Sequence, residues 1–218
     1  ELIKSISDPV INAPTIAILT GNLAPRGAVI KVSAASPHLL VHTGIAVVFE
    51  HYKDMLDRID DEKLEVDASS VLVLRYAGPK GVPGMPEWGM IPVPKKLREK
   101  GITDMVRISD ARMSGTSFGT VILHVVPEAA IGGALALVKN GDTIILDISA
   151  KKLHLDITEE EMAFRKSQWT EPVSEHKRGY PKLFIREALQ ADEGCDFEFL
   201  KPKSAEELIF IEPVVGRS

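Results

Sequence analysis

The chain has 218 residues, 44% of them hydrophobic and 26% charged, with a formal net charge of −5. That composition suits one large globular domain, and the acidic balance, with few aromatics and no Lys/Arg cluster, argues against nucleic acid and against an anionic membrane surface as partners; a small soluble molecule fits better. No apolar run approaches the length of a bilayer span, and Cys195 is the only cysteine, which rules out an internal disulfide and any zinc or iron–sulfur site built from this chain's thiolates alone.

A reducing compartment, the cytoplasm or a similar one, suits that cysteine usage. Within GCDF, Cys195 reads as a partly buried structural thiol in preference to a reactive one. The start, Glu1-Leu2-Ile3-Lys4, has neither a signal-peptide layout nor an initiator Met, so the chain is expected to be cut from something longer.

In chain order, the apolar run at residues 15–19 predicts a strand, GNLAP at 21–25 a turn, and residues 28–32 a second extended segment. Loops are expected at 33–37 and 42–44, then a β-branched and aromatic strand at 46–49. The period then changes. Tyr52, Met55, Leu56 and Ile59 fall at i, i+3, i+4 and i+7, which is one apolar face of a helix over 51–59. A charged connection at 60–65 leads to a buried strand at 70–74. Residues 77–94, AGPKGVPGMPEWGMIPVP, hold too much Gly and Pro for helix or sheet, and so long a loop in a compact domain is more often functional than idle. Its only acid, Glu87, is either a solvated carboxylate or one delivered to a metal. Residues 95–100 predict a short basic helix stopped by Gly101.

Residues 107–120, RISDARMSGTSFGT, are the stretch around which the chain is organised. Lying between apolar runs at 101–106 and 121–126, they predict a passage from strand through loop to strand, unlike a core strand. Ser109, Ser114, Thr116, Ser117 and Thr120 offer hydroxyls, Gly115 and Gly119 permit sharp turns, and Arg107 and Arg112 add fixed positive charge. The stretch could hold an anion or a reacting hydroxyl, or be a Gly/Ser turn whose hydroxyls satisfy their own backbone. In the strand at 121–126, His124 reads as a satisfied core histidine ahead of a ligand.

A helical turn at 127–130, a short helix at 135–139 and a hairpin of 143–148 with 152–157 follow. Thr158 and Glu161 form a capping box for a helix to about Gln168, and a last helix is expected over 182–193, ended by Gly194. Many strands with few helices between them predict a β-rich α/β domain with a barrel-like sheet.

GNLAP at 21–25, GPKG at 78–81, PGMPE at 83–87 and SDARMSGT at 109–116 resemble, in that order, the C-terminal domain of the dihydroxy-acid and phosphogluconate dehydratase family. PEA at 127–129, GG with LALV to Val138, GD at 141–142, RGY at 178–180 and QADEGCDF at 190–197 are similar too, and ARMSGT is closest to the sugar-acid branch with its arabinonate and xylonate dehydratases. The resemblance covers about residues 8–200, so residues 1–200 are taken as the dehydratase domain and 201–218 as a tail of unknown role.

The resemblance implies a swivelling β/β/α fold with flanking helices, and a hydro-lyase that turns a 2,3-dihydroxy sugar acid into a 2-keto-3-deoxy acid. It implies an iron–sulfur cluster binding the leaving hydroxyl, Mg²⁺ anchoring the substrate carboxylate, and a serine alkoxide taking the C2 proton. Carried over by motif, Ser114 is that serine, Glu87 a Mg²⁺ ligand, and Thr116 lies close to the substrate. The cluster cysteines, the remaining Mg²⁺ ligands and a modified lysine are implied for an N-terminal domain, the expected partner. The full-length form is expected to be a homo-oligomer and the isolated chain inactive. Two other readings stay open: a small-anion binding module, and a structural domain that caps a partner.

Overall fold

The computed structural model describes residues 4–9, 14–202 and 204. Eight strands, β1 (Ala17–Gly21), β2 (Ala24–Ile30), β3 (Val41–Phe49), β4 (Val71–Leu74), β5 (Val106–Ser109), β6 (Val121–Val126), β7 (Thr143–Asp147) and β8 (Lys152–Leu155), close into a barrel. The order around it is β1-β2-β6-β5-β4-β3-β7-β8. Strands β3 to β6 form a parallel wall. β1 closes the barrel by a short parallel pairing with β8, and the other neighbours are antiparallel.

Side-chain alternation explains why the parallel wall is buried on both faces. Ala46, Val48, Val71, Val73, Val106 and Ile108 belong to one apolar cluster, with Ile144, Leu146, Leu153 and Leu155 from across the barrel. The intervening Val47, Phe49, Leu72 and Leu74 belong to a second cluster with Met55, Leu97 and Ile91. Those last three come from α1 (Tyr52–Arg58), α2 (Lys95–Arg98) and the long Gly/Pro loop, which cover the outside of the wall.

Local signals set the helix ends. His51 caps α1, its Nδ1 accepting the Asp54 N–H at 3.1 Å. Thr158 caps α3 (Glu159–Gln168) by accepting the Glu161 N–H at 3.1 Å, as the capping-box pattern predicts. The last helix, α4, spans Gly179–Glu187, so it starts and ends earlier than the predicted 182–193. Pro181 sits in its first turn, where a missing N–H costs nothing, and Ala188 leaves the helix to pair with Phe197.

Three other expectations change. Residues 42–44 are strand, because β3 runs from Val41 and pairs with β7 from there on. Ala24 and Pro25 already belong to β2, leaving only Asn22 and Leu23 to turn the first hairpin. Arg107 to Ser109 form β5 and are buried, so that end of the serine-rich stretch is a core strand after all. The barrel with flanking helices agrees with the fold class read from the sequence; most of the tail at 201–218 lies outside the described residues.

Candidate functional site

After β5 the chain must travel back along the barrel to begin β6 beside it in parallel, and residues 110–120 make that return. Both ends of the return are pinned. At the start, buried Asp110 accepts the N–H groups of Ala77 (2.9 Å) and Ala129 (2.8 Å), tying together the chain leaving β4, β5 and β6. Burial, and then the charge of Glu128, push the Asp110 carboxyl up to about 7.

Glu128 anchors two further segments. It accepts N–H bonds from Lys80 and Gly81 at 2.9–3.0 Å and one from the Gln190 side chain at 2.5 Å. Burial raises its carboxyl as well, against the pull of those bonds. Three motifs that stand far apart in the sequence, GPKG, PEA and QADEGCDF, are therefore one buried polar network whose work is structural.

At the far end, Asp104 accepts from the Thr120 N–H (2.9 Å), the Thr120 hydroxyl (2.8 Å) and the Ser36 N–H (3.3 Å). Burial opposes its ionisation, yet these bonds and Arg107 hold its carboxyl below the usual range. Gly119 is required here: its φ is +81°, and a Cβ would stand 2.1 Å from Arg107 Nη2.

Arg107, expected to add fixed positive charge where an anion could be held, is not available to one. Its guanidinium is 2% exposed and fully engaged, with Asp104 (2.7 Å) and the carbonyls of Ile91 (3.0 Å), Met105 (3.2 Å) and Phe118 (3.3 Å). Ser109, Ser117 and Thr120 are likewise buried and bonded to neighbouring backbone or to Asp104, so none is open to a ligand.

What remains at the surface is the middle of the return. Residues 114–117 form a tight turn: Ser117 N–H donates to the Ser114 carbonyl at 3.1 Å, and Ser114 N–H donates to Ser117 Oγ at 3.2 Å. The Lys31 ammonium bonds the carbonyls of Gly115 (3.0 Å) and Ser117 (3.2 Å), a contact nothing in the sequence signalled. The half-buried Ser114 hydroxyl lies 3.0 Å from that of exposed Thr116. Glu87, on the long loop, is tied to the return by one side chain. Arg112 reaches from the return to the long loop, its Nε donating to the Met85 carbonyl at 2.7 Å and its Nη1 lying 3.0 Å from Glu87 Oε1.

Trp88, next to Glu87, stacks on Tyr52 of α1 with ring centroids 4.2 Å apart, which seats this part of the loop on the second apolar cluster. Cys195 also faces the loop: its Sγ is 3.6 Å from Met85 Sδ, and burial raises its thiol, as befits an inert, structural cysteine. Ser114 and Thr116 thus share one turn, Arg112 ties the segment leading into that turn to Glu87 of the long loop, and Lys31, from the end of β2, holds the turn's carbonyls. A hard cation is suited by Glu87, but among the described residues no three His, Cys, Asp or Glu side chains gather to hold a metal ion. Glu87 is the carboxylate that the long loop offers such an ion, and Cys195 is the sequence's one thiolate for an iron–sulfur cluster.

Comparison with known proteins gives the chain a family. The chain is 55% identical to the L-arabonate dehydratase of Azospirillum brasilense, over 92% of this chain and 35% of that one. It is 48% identical to the 6-deoxy-6-sulfo-D-gluconate dehydratase of Pseudomonas putida, over 94% and 36%. A dihydroxy-acid dehydratase of Archaeoglobus fulgidus is 41% identical over 89% and 35%. The chain spans about a third of the length of these relatives. Residues 1–195 match the model of the dihydroxy-acid/6-phosphogluconate dehydratase C-terminal domain, and to that family this chain belongs.

Proposed function

We propose that this chain supplies the proton-abstracting face of a dehydratase site, in a longer protein that converts a 2,3-dihydroxy sugar acid into a 2-keto-3-deoxy acid. Ser114, as its alkoxide, takes the proton from C2 as the C3 hydroxyl leaves; that proton passes on to the departing hydroxide to make water, which restores the alkoxide, and the resulting enol tautomerises to the 2-keto acid. The observation that supports this reading is the Arg112 bridge, which ties the segment leading to Ser114 to Glu87 of the long loop. The sugar-acid branch is favoured over the dihydroxy-acid branch by the higher identity to arabonate and sulfogluconate dehydratases.

A serine hydroxyl is too weak an acid to ionise unaided at neutral pH, so its base form needs positive charge close by. Lys31 brings its ammonium to the turn that holds Ser114, and Arg112, paired with Glu87, stands two residues before the serine. Thr116, hydrogen-bonded to Ser114, offers a hydroxyl on the substrate side. The groups implied by the resemblance supply Lewis acidity when bound: Mg²⁺, to which Glu87 would give one oxygen, and an iron–sulfur cluster whose ligands lie outside this chain.

Ser114→Ala in the complete protein tests the assignment. Loss of a general base costs about 10²- to 10⁴-fold in turnover, with the melting temperature unchanged. Turnover within a few-fold of the parent would return the serine to a turn residue.

A further inference from the structure

His124 occupies a place in β6 where an ordinary strand residue is expected, and its backbone is not ordinary. Its φ is +54°, in the left-handed region that residues other than Gly seldom adopt. The strand register explains where the irregularity comes from. Gly27 of β2 faces Val126 while Val29 faces Leu123, so two steps along β2 match three along β6, and the extra residue makes a bulge around His124 and Val125. Bulges re-aim side chains, and a left-handed non-glycine residue persists only where its surroundings over-determine it.

The re-aimed ring meets the segment that leads to Ser114. His124 Nε2 accepts the Met113 N–H at 2.9 Å, and the His124 backbone N–H donates to the Ala111 carbonyl at 3.0 Å. One residue thus grips the chain on both sides of Arg112, and the next residue is Ser114. The far side of the serine turn is held separately, by Ser117 Oγ and by Lys31. Only a neutral imidazole can accept at Nε2, with its proton on Nδ1. Burial, and then the facing charge of Arg112, hold the ring neutral.

We propose that His124 is a positioning residue for Ser114: the bulge in β6 aims its neutral ring at the Met113 peptide and so sets the direction from which the serine hydroxyl meets substrate. The inference rests on the proposed role of Ser114 and deepens it. A histidine that merely filled space would not need a strained backbone to reach a peptide one residue from the reacting hydroxyl.

The test is made in the complete protein with His124→Gly, which adopts the left-handed backbone freely and deletes the ring, and with His124→Gln, whose amide places an acceptor near the position of Nε2. In His124→Gly, amide exchange in peptides covering 111–114 should accelerate about tenfold or more, and kcat should fall about 10- to 100-fold, the scale of misplaced catalytic groups, while KM stays within a few-fold. His124→Gln should recover part of both. In the parent, exchange there, corrected for the intrinsic rate, should rise as the pH drops through a value below the ordinary histidine range, and the glycine variant should lack that step.

Parental kcat in His124→Gly, or unchanged exchange at Met113, would overturn the proposal. Should the glycine variant fail to fold, His124→Asn, which also tolerates left-handed backbone but is too short to reach Met113, gives the same comparison. Ser114→Ala is run alongside. If it is inactive while His124→Gly has a loosened loop and full activity, the positioning role alone fails; if Ser114→Ala is itself active, the reading of the site fails and the positioning role with it.

Discussion

Two arginines of one short stretch have opposite fates, and the difference is what each side chain finds within reach. Arg107, on β5, points out of the barrel wall into a space closed by the long loop and satisfies itself on Asp104 and three carbonyls. Arg112, beyond the strand, is left half in solvent and links Ser114's segment to Glu87. Glu87→Gln keeps the shape of that link and removes the charge. In the complete protein it should raise the Mg²⁺ concentration needed for half-maximal activity, because a neutral oxygen replaces an anionic one. An unchanged Mg²⁺ titration would make Glu87 a solvated loop carboxylate. Asp110 gives a pH prediction. Its carboxyl is raised to about 7 from an ordinary value near 3.8, so between those limits the folded state holds a proton that the unfolded state has released. Stability therefore falls as the pH rises through this window, and raised Glu128 acts in the same direction. Melting temperatures from pH 4 to 8 should show the parent losing stability relative to Asp110→Asn as pH increases; a constant difference would contradict the buried-acid account.

At the scale of elements, the join between the first hairpin and the last is the barrel's thinnest seam, since β1 and β8 share only the Thr20 and Lys152 pairing. Asn22 reinforces it with two bonds to Leu155: its Nδ2 donates to the carbonyl and its Oδ1 accepts the N–H, each at 2.7 Å. Gly21 lets the strands approach, because a Cβ there would stand 2.0 Å from the Leu153 carbonyl oxygen. Asn22→Ala removes both side-chain bonds and leaves a part-buried backbone pair without its partner. It should cost about 1–3 kcal/mol in urea denaturation, with faster amide exchange at 153–155. A cost near zero would mean that β1 and β8 hold the seam alone.

At the scale of the whole molecule, fold and chemistry separate. The barrel and its two apolar clusters give this chain what an independent folding unit requires, whereas its candidate site lies on loops that leave Glu87, Thr116 and Phe118 exposed. The relatives it matches are about three times as long. We expect the purified chain to unfold cooperatively, to be colourless, and to dehydrate no sugar acid, and turnover to appear when the separately produced remainder of the protein is added. Dehydration by the chain alone would defeat the shared-site reading.

The strands at β4 and β6, the hairpin of β7 and β8, the face of α1 and the cap of α3 were legible in the sequence because each is set by neighbours within a few residues: apolar period, turn residues, a hydroxyl three positions from a glutamate. The motifs that carry Ser114 and Glu87 were legible as those of the dehydratase family. The first half of β3 was not, since Val41, His42 and Thr43 are at least partly exposed and become strand by pairing with β7, about a hundred residues later. Nor was the burial of Arg107, the contact of Lys31, or the aim of His124, which comes from a mismatch in step between β2 and β6. Local sequence determined most of the segments that extend, coil and turn, and the family to which the chain belongs. The direction in which the side chains point was left to tertiary structure, because closing eight strands into one barrel sets registers, bulges and loop crossings that no short stretch encodes by itself.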